Sequence, residues 1–207
     1  MLSGIFSDPL SVVLLLAAVV VATTCHECAH AFVADRLGDP TARQLGRLSF
    51  NPLVHADVLG TLCFVLFGFG WAKPVPINPR NFQNPRQGML QVAIAGPLAN
   101  VTVAAIVGLI ARATAGSIGS LGLEFLVVVA WINVILAVFN MIPVPPLDGS
   151  RVVEAVLPLG QAYAYRRLQP YGMLVLFLLL YTGIVGRVLL PAARWVYAFA
   201  TGGLQGP

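Results

Sequence analysis

Charge is scarce in this sequence. Asp, Glu, Lys and Arg make up 10% of its 207 residues, against about 25% in a soluble domain. By contrast 58% of the residues are hydrophobic and the mean hydropathy is +0.85. So few charges cannot coat a water-exposed surface, which excludes an ordinary soluble domain and points to a membrane. No polar stretch is long enough to build a second, soluble unit. Residues 1–207 therefore read as a single membrane-embedded domain.

Other absences narrow the class further. The first nine residues carry Asp8 but no Lys or Arg, so they lack the basic start of a signal peptide, and the first apolar stretch is expected to be retained. Cys25, Cys28 and Cys63 are an odd number lying inside apolar segments, which excludes a disulfide framework. Cys25 and Cys28 have C-x-x-C spacing but sit among histidines in a helical run, the wrong setting for a redox pair. The net charge of +4 is scattered between apolar runs and forms no dense basic patch, so nucleic acid is not an expected partner.

What is present is a series of apolar runs. A crossing needs about 20 mostly apolar residues, and four runs qualify: Leu10 to Ala34, Met89 to Ala111, Leu121 to Ile142 and Tyr171 to Leu190. Ser7-Asp8-Pro9 supplies a cap and a first-turn proline for the first of them. A fifth run, Val58 to Trp71, has only 14 residues and contains Gly60, Gly68 and Gly70. That length suits a re-entrant segment better than a crossing.

The placement of charge supports this choice, because cytoplasmic loops carry an excess of Lys and Arg. Arg36, Arg43 and Arg47 precede the short run, and Lys73, Arg80 and Arg86 follow it. If the run dips in and returns, both loops lie on the cytoplasmic side together with Arg151, Arg166 and Arg167, and the uncharged 114–120 connection lies outside. The N-terminus is then outside, with four crossings and an additional helical piece in Ala192 to Ala200. Between Gly70 and Arg80, prolines at 74, 76 and 79 forbid regular helix. Such backbone persists at membrane depth only where protein or a wet cavity covers it. The expected fold is an all-α polytopic membrane protein of about four to six transmembrane helices, with a re-entrant, partly extended Pro-rich segment beside a site.

His26-Glu27-Cys28-Ala29-His30 is an H-E-x-x-H in a chain with only three histidines. Spacing of i and i+4 places both imidazoles on one helix face, where they can share one zinc ion, and the glutamate beside them can act as general base. Ionisable groups within a membrane helix are expensive and are functional candidates by default. Catalytic zinc takes three protein ligands. A third histidine at position 36, as in an extended soluble motif, is absent because that residue is Arg36. His55, Glu124, Glu154 and Asp148 remain. Asp148 is the more attractive, because Pro143, Pro145 and Pro146 break the helix before it and Gly149 follows it. With the short run re-entrant, His26, His30 and Asp148 also end on the same side of the membrane. The His55 and Asp57 pair reads as structural or interfacial.

Taken together, His26 to His30, Gly96-Pro-Leu-Ala-Asn100 and the Asn140 to Gly149 stretch resemble a bacterial site-2 protease of the compact type without a PDZ domain. Ser49 to Asp57 and Gly70 to Arg80 are similar to the same branch, so the likeness covers most of residues 10 to 160. It implies Asp148 as the third zinc ligand and Glu27 as the catalytic base. It also implies Asn140 and Asn100 as substrate-binding residues, with an inter-helix hydrogen bond as the alternative for both. The activity implied is intramembrane zinc proteolysis of transmembrane protein substrates, in regulated intramembrane proteolysis. The implied location is a bacterial plasma membrane, multi-pass, with the site toward the cytoplasm. A zinc-binding transporter or channel, and an inactive scaffold that binds membrane helices, are the competing classes; Glu27 between the histidines favours hydrolysis.

Overall fold

A computed structural model describes residues 8–67 and 70–204, and these are helical with no β-strand among them. Ser7 and Gly68 lie outside the described residues. The first long helix, α1 (Pro9–Arg36), is capped by Asp8, whose carboxylate accepts from the backbone N–H groups of Leu10 and Ser11 at 3.3 and 3.0 Å. After a one-turn helix, α2 (Thr41–Gln44), comes the short α3 (Val58–Phe67). Asn84 caps the long α4 (Pro85–Thr114) by accepting from the Gln87 N–H. Then follows α5 (Ser120–Asn140), which ends as the chain approaches Pro143, since a proline disfavours helical backbone in the residue before it.

These three long helices form the bundle. Their buried faces are lined largely with small residues: Ala18, Ala22, Ala31 and Ala34 on α1, Ala93, Ala104 and Ala111 on α4, and Ala130 and Ala137 on α5. Small side chains let helix backbones approach closely, which is what drives association where lipid is as apolar as leucine. Large apolar residues such as Leu98, Ile106, Leu109 and Leu121 point outward, the inverse of a water-soluble bundle. Each of the three is long and apolar enough to cross a membrane.

The short run folds back, as its length predicts. Ten residues of α3 rise about 15 Å, half the hydrocarbon thickness. A Cβ on Gly60 would collide with the Trp71 carbonyl, so the outgoing and returning strands of chain touch at a glycine. The Lys73 N–H donates to the His55 carbonyl at 2.9 Å. Arg47 donates to the Lys73 carbonyl. Asp39 accepts from the Asn78 N–H and the Asn81 side chain, both at 2.7 Å. The two basic loops are therefore hydrogen-bonded to each other and lie at one end of the bundle.

The fourth expected crossing, Tyr171 to Leu190, is not one straight helix. After α6 (Asp148–Val156) and α7 (Leu159–Arg166), the chain forms α8 (Gly172–Tyr181), breaks, and resumes as α9 (Ile184–Thr201). The apolar pieces 159–181 and 184–201 are bent by 81°, so among the described residues the crossing-competent helices number three, or four if the bent pair counts as one. The break falls at Gly183, whose φ of 71° lies in the left-handed region that glycine tolerates best. Beyond it α9 turns back, burying Val185, Leu189, Ala193 and Tyr197 against Ala104, Ala130 and Val134. The expected extra piece at 192–200 is the second half of this helix.

Candidate metal centre

His26 and His30 lie one turn apart on the buried face of α1, and Asp148 begins α6. All three are buried, at 5, 6 and 8% exposure. The His26 Nε2 lies 3.0 Å from one Asp148 oxygen, the His30 Nε2 lies 3.1 Å from the same oxygen, and the two Nε2 atoms are 3.0 Å apart. Among the described residues this is the one cluster of His, Cys, Asp or Glu with the reach to hold a metal ion.

The protons on the imidazoles follow from their other contacts. The His30 Nδ1 lies 2.7 Å from the Val92 carbonyl, which can only accept, so Nδ1 carries the proton. The His26 Nδ1 lies 2.7 Å from the Asn100 side-chain oxygen. That oxygen is identified by the other end of the carboxamide, whose nitrogen donates to the Ala22 carbonyl at 2.9 Å. With a proton on each Nδ1, the imidazoles in their neutral form present two Nε2 lone pairs to one carboxylate oxygen. Three acceptors packed this closely repel one another unless a cation joins them. Nitrogen and oxygen ligands held about 2.0 to 2.2 Å from one zinc ion stand roughly 3 to 3.5 Å apart, so the donor set fits.

Space for the imidazoles comes from the facing helix. A Cβ on Gly96 of α4 would lie 2.5 Å from the His30 Nε2 and 2.6 Å from the His26 Cε1. Beside it, Pro97 lacks an N–H and interrupts the helical ladder. Asp148 is reached through a similar constraint, since a Cβ on Gly149 would collide with the Met141 carbonyl.

Glu27, next to His26 on α1, is half-buried, and its carboxylate accepts from the Val75 N–H at 3.1 Å. The extended Pro-rich segment thus lies directly beside it. Asn140 is half-buried at the end of α5, and its amide donates to the Leu136 carbonyl at 3.0 Å within its own helix. Asn100 is fully buried and its carboxamide meets His26, Ala22 and Asn133. Of the two alternatives open for Asn100, the structure contains the inter-helix hydrogen bond. His55 is buried elsewhere, its Nε2 donating to the Ser49 carbonyl at 2.8 Å. Cys25, Cys28 and Cys63 are free thiols. Asn133 was not singled out by sequence; the one available signal was a carboxamide in the middle of an apolar span.

A helical membrane bundle with a His, His, Asp cluster and an adjoining glutamate defines the class of membrane-embedded metallopeptidase. Comparison with known proteins agrees. Residues 114–183 match Peptidase family M50, a stretch that includes Asp148 but not His26 to His30. The chain is 38% identical to the candidate zinc metalloprotease YwhC of Bacillus subtilis, over 83% of this chain and 82% of that protein. It is 29% identical to the candidate zinc metalloprotease Rip2 of Mycolicibacterium smegmatis, over 91% of this chain and 74% of the relative. A third relative, zinc metalloprotease MJ0392 of Methanocaldococcus jannaschii, is 31% identical over 39% of this chain and 23% of its own length. No solved structure matches the chain with statistical significance. The chain belongs to peptidase family M50, the site-2 protease family.

Proposed function

We propose that this member of family M50 is an intramembrane zinc endopeptidase that cleaves transmembrane helices of other proteins, with residues 1–207 acting as one domain. His26, His30 and Asp148 hold a single zinc ion. The observation that carries this is the buried cluster of two Nε2 atoms and a carboxylate oxygen, all within 3.1 Å of one another, with both Nδ1 atoms turned to other partners. When bound, zinc supplies Lewis-acid polarisation of the scissile carbonyl and lowers the pKa of water.

The chain's own groups do the rest. Glu27 takes the proton of the attacking water and passes it to the departing amine nitrogen, and the Val75 N–H keeps its carboxylate aimed. Asn140 is the donor for the carbonyl oxygen as negative charge develops there; a substrate oxygen replaces the Leu136 carbonyl as its partner. The substrate is a membrane helix that must unwind locally, and its extended strand can lie along residues 73–77. The basic residues of both hydrogen-bonded loops support a cytoplasmic position for this end of the bundle, in a bacterial plasma membrane. Regulated intramembrane proteolysis is the process this activity serves.

The test is zinc content alongside cleavage of a reconstituted single-span protein, for wild type and Glu27→Gln. The variant is expected to keep zinc while its cleavage rate falls by about 10² to 10⁴. Undiminished cleavage by the zinc-loaded variant overturns the proposal, and loss of zinc makes Glu27 a part of the metal shell. Cysteine labelling at positions 43 and 80, in a background without native cysteines, is expected to succeed from the cytoplasmic side at both.

A further inference from the structure

Two carboxamides sit entirely out of reach of solvent in the middle of the bundle. Asn100 on α4 and Asn133 on α5 are both 0% exposed. The Asn133 nitrogen donates to the Val129 carbonyl at 2.8 Å, one turn back in its own helix. Its oxygen accepts from the Asn100 nitrogen at 2.8 Å. The same nitrogen donates to the Ala22 carbonyl at 2.9 Å, and the Asn100 oxygen faces the His26 Nδ1 at 2.7 Å.

The direction of every bond in this chain is determined. The Val129 and Ala22 carbonyls can only accept, so each carboxamide must turn its nitrogen toward them. Asn133 then presents an oxygen to Asn100, and Asn100 presents an oxygen to His26. A reversed Asn100 would set its oxygen against two acceptors and its nitrogen against His26, calling the imidazole proton to Nε2, where it would block the metal. Simple adhesion between membrane helices requires only that polar groups pair. Here the polarity of the pairing is imposed by backbone carbonyls and ends on a metal-binding imidazole.

Resting on the zinc site proposed above, we infer that Asn133 is a positioning residue: acting through Asn100, it holds His26 in the tautomer and orientation that leave Nε2 free for zinc. Outer partners of metal-binding histidines fix the tautomer and raise ligand basicity, and their loss costs about 10- to 100-fold in metal affinity. Asn133 adds a further step, from a third helix.

The experiment measures zinc affinity of the full-length protein in detergent by chelator competition, for wild type, Asn133→Leu, Asn133→Asp, Asn100→Leu and the Asn100→Leu/Asn133→Leu pair. A second readout is the visible d–d spectrum after Co²⁺ substitution. Asn133→Leu is expected to weaken zinc binding about tenfold and to alter the Co²⁺ bands, and Asn100→Leu to weaken it by about 10- to 100-fold. Asn133→Asp keeps an oxygen toward Asn100 and, protonated in this buried setting, a donor toward Val129; it is expected to bind within about twofold of wild type. In the Asn100→Leu background, Asn133→Leu should add nothing, because the link to His26 is already cut. Equal losses in both backgrounds, or wild-type affinity and spectrum in a folded Asn133→Leu protein, overturn the inference. If Asn133→Leu does not fold, a tenfold loss in Asn133→Asp overturns it and retained affinity supports it. Failure of the wild type to bind zinc is a different result, and sinks the zinc site itself.

Discussion

The centre of the bundle and the short re-entrant helix α3 are both rich in apolar residues, yet they are held by different forces. At the centre, His26, His30, Asp148, Asn100 and Asn133 are buried and each has directed polar partners. In α3, Val58, Leu59, Leu62 and Leu66 are exposed large apolar residues, suited to lipid and insensitive to exact orientation. Between the two runs the Pro-rich segment, pinned by hydrogen bonds to Glu27, Asp39, Arg47 and His55. Polar groups cost much when unpaired in a medium without water, so they appear where orientation matters and are absent where only burial in lipid is required.

The largest break in this contrast comes from removing a charge at the centre. Asp148→Ala leaves two imidazole lone pairs without a third ligand, and purified protein is expected to lose its zinc and its cleavage activity, as read by metal analysis and the reconstituted assay. Retention of zinc by Asp148→Ala together with its loss in His55→Ala would reassign the third ligand.

Next in size is Gly96→Ala, a change of one methyl group. Its Cβ would fall 2.5 Å from the His30 Nε2, so α4 must retreat or the imidazoles must turn. The expected cost is about 1 to 3 kcal/mol, in line with overpacking of a filled core, accompanied by weaker zinc binding. Denaturation in detergent and chelator competition measure the two parts.

Asp39→Ala tests the pinned segment. Asp39 is buried and accepts from Asn78, Asn81 and Thr41, and its loss is expected to destabilise the protein by about 1 to 3 kcal/mol and to increase proteolysis between 70 and 84. Burial raises its pKa, but the hydrogen bonds from Thr41, Asn78 and Asn81 outweigh this and lower it below the ordinary 3.8. A depressed pKa means that the stabilisation is complete above 3.8 and is lost as the pH falls through the lower folded value. Wild type is therefore expected to approach the stability of Asp39→Ala in strong acid, with the gap restored above about pH 5.

The smallest effect is expected in α3, where Leu62 is 52% exposed. Leu62→Ala should change stability by less than about 0.5 kcal/mol. A loss comparable to that of Gly96→Ala would mean that α3 packs against another protein surface.

Much of this was legible in the primary structure because it is local. The i, i+4 histidines need only one helix to converge, and length alone separates the 14-residue run Val58 to Trp71 from a crossing. Basic residues on both sides of α3 announced that its flanks share one end, and the Lys73 to His55 hydrogen bond joins them there. Tyr171 to Leu190 looked continuous because composition carries no angle; the turn at Gly183 depends on α9 finding a packing surface on α4 and α5. Asn100 drew attention through its place in a motif, but its partners could not be read from it.

The sequence by itself determined the membrane class, the three long apolar helices, the H-E-x-x-H pair and the proline break that releases Asp148, since each depends on neighbours in the chain. Only the tertiary structure decided that Asp148, 118 residues beyond His30, lies 3.1 Å from it, and that Asn133 and Asn100 direct the proton of His26. The physical reason is that a hydrogen bond has a direction and a length of about 3 Å, and both depend on which faces of separate helices meet.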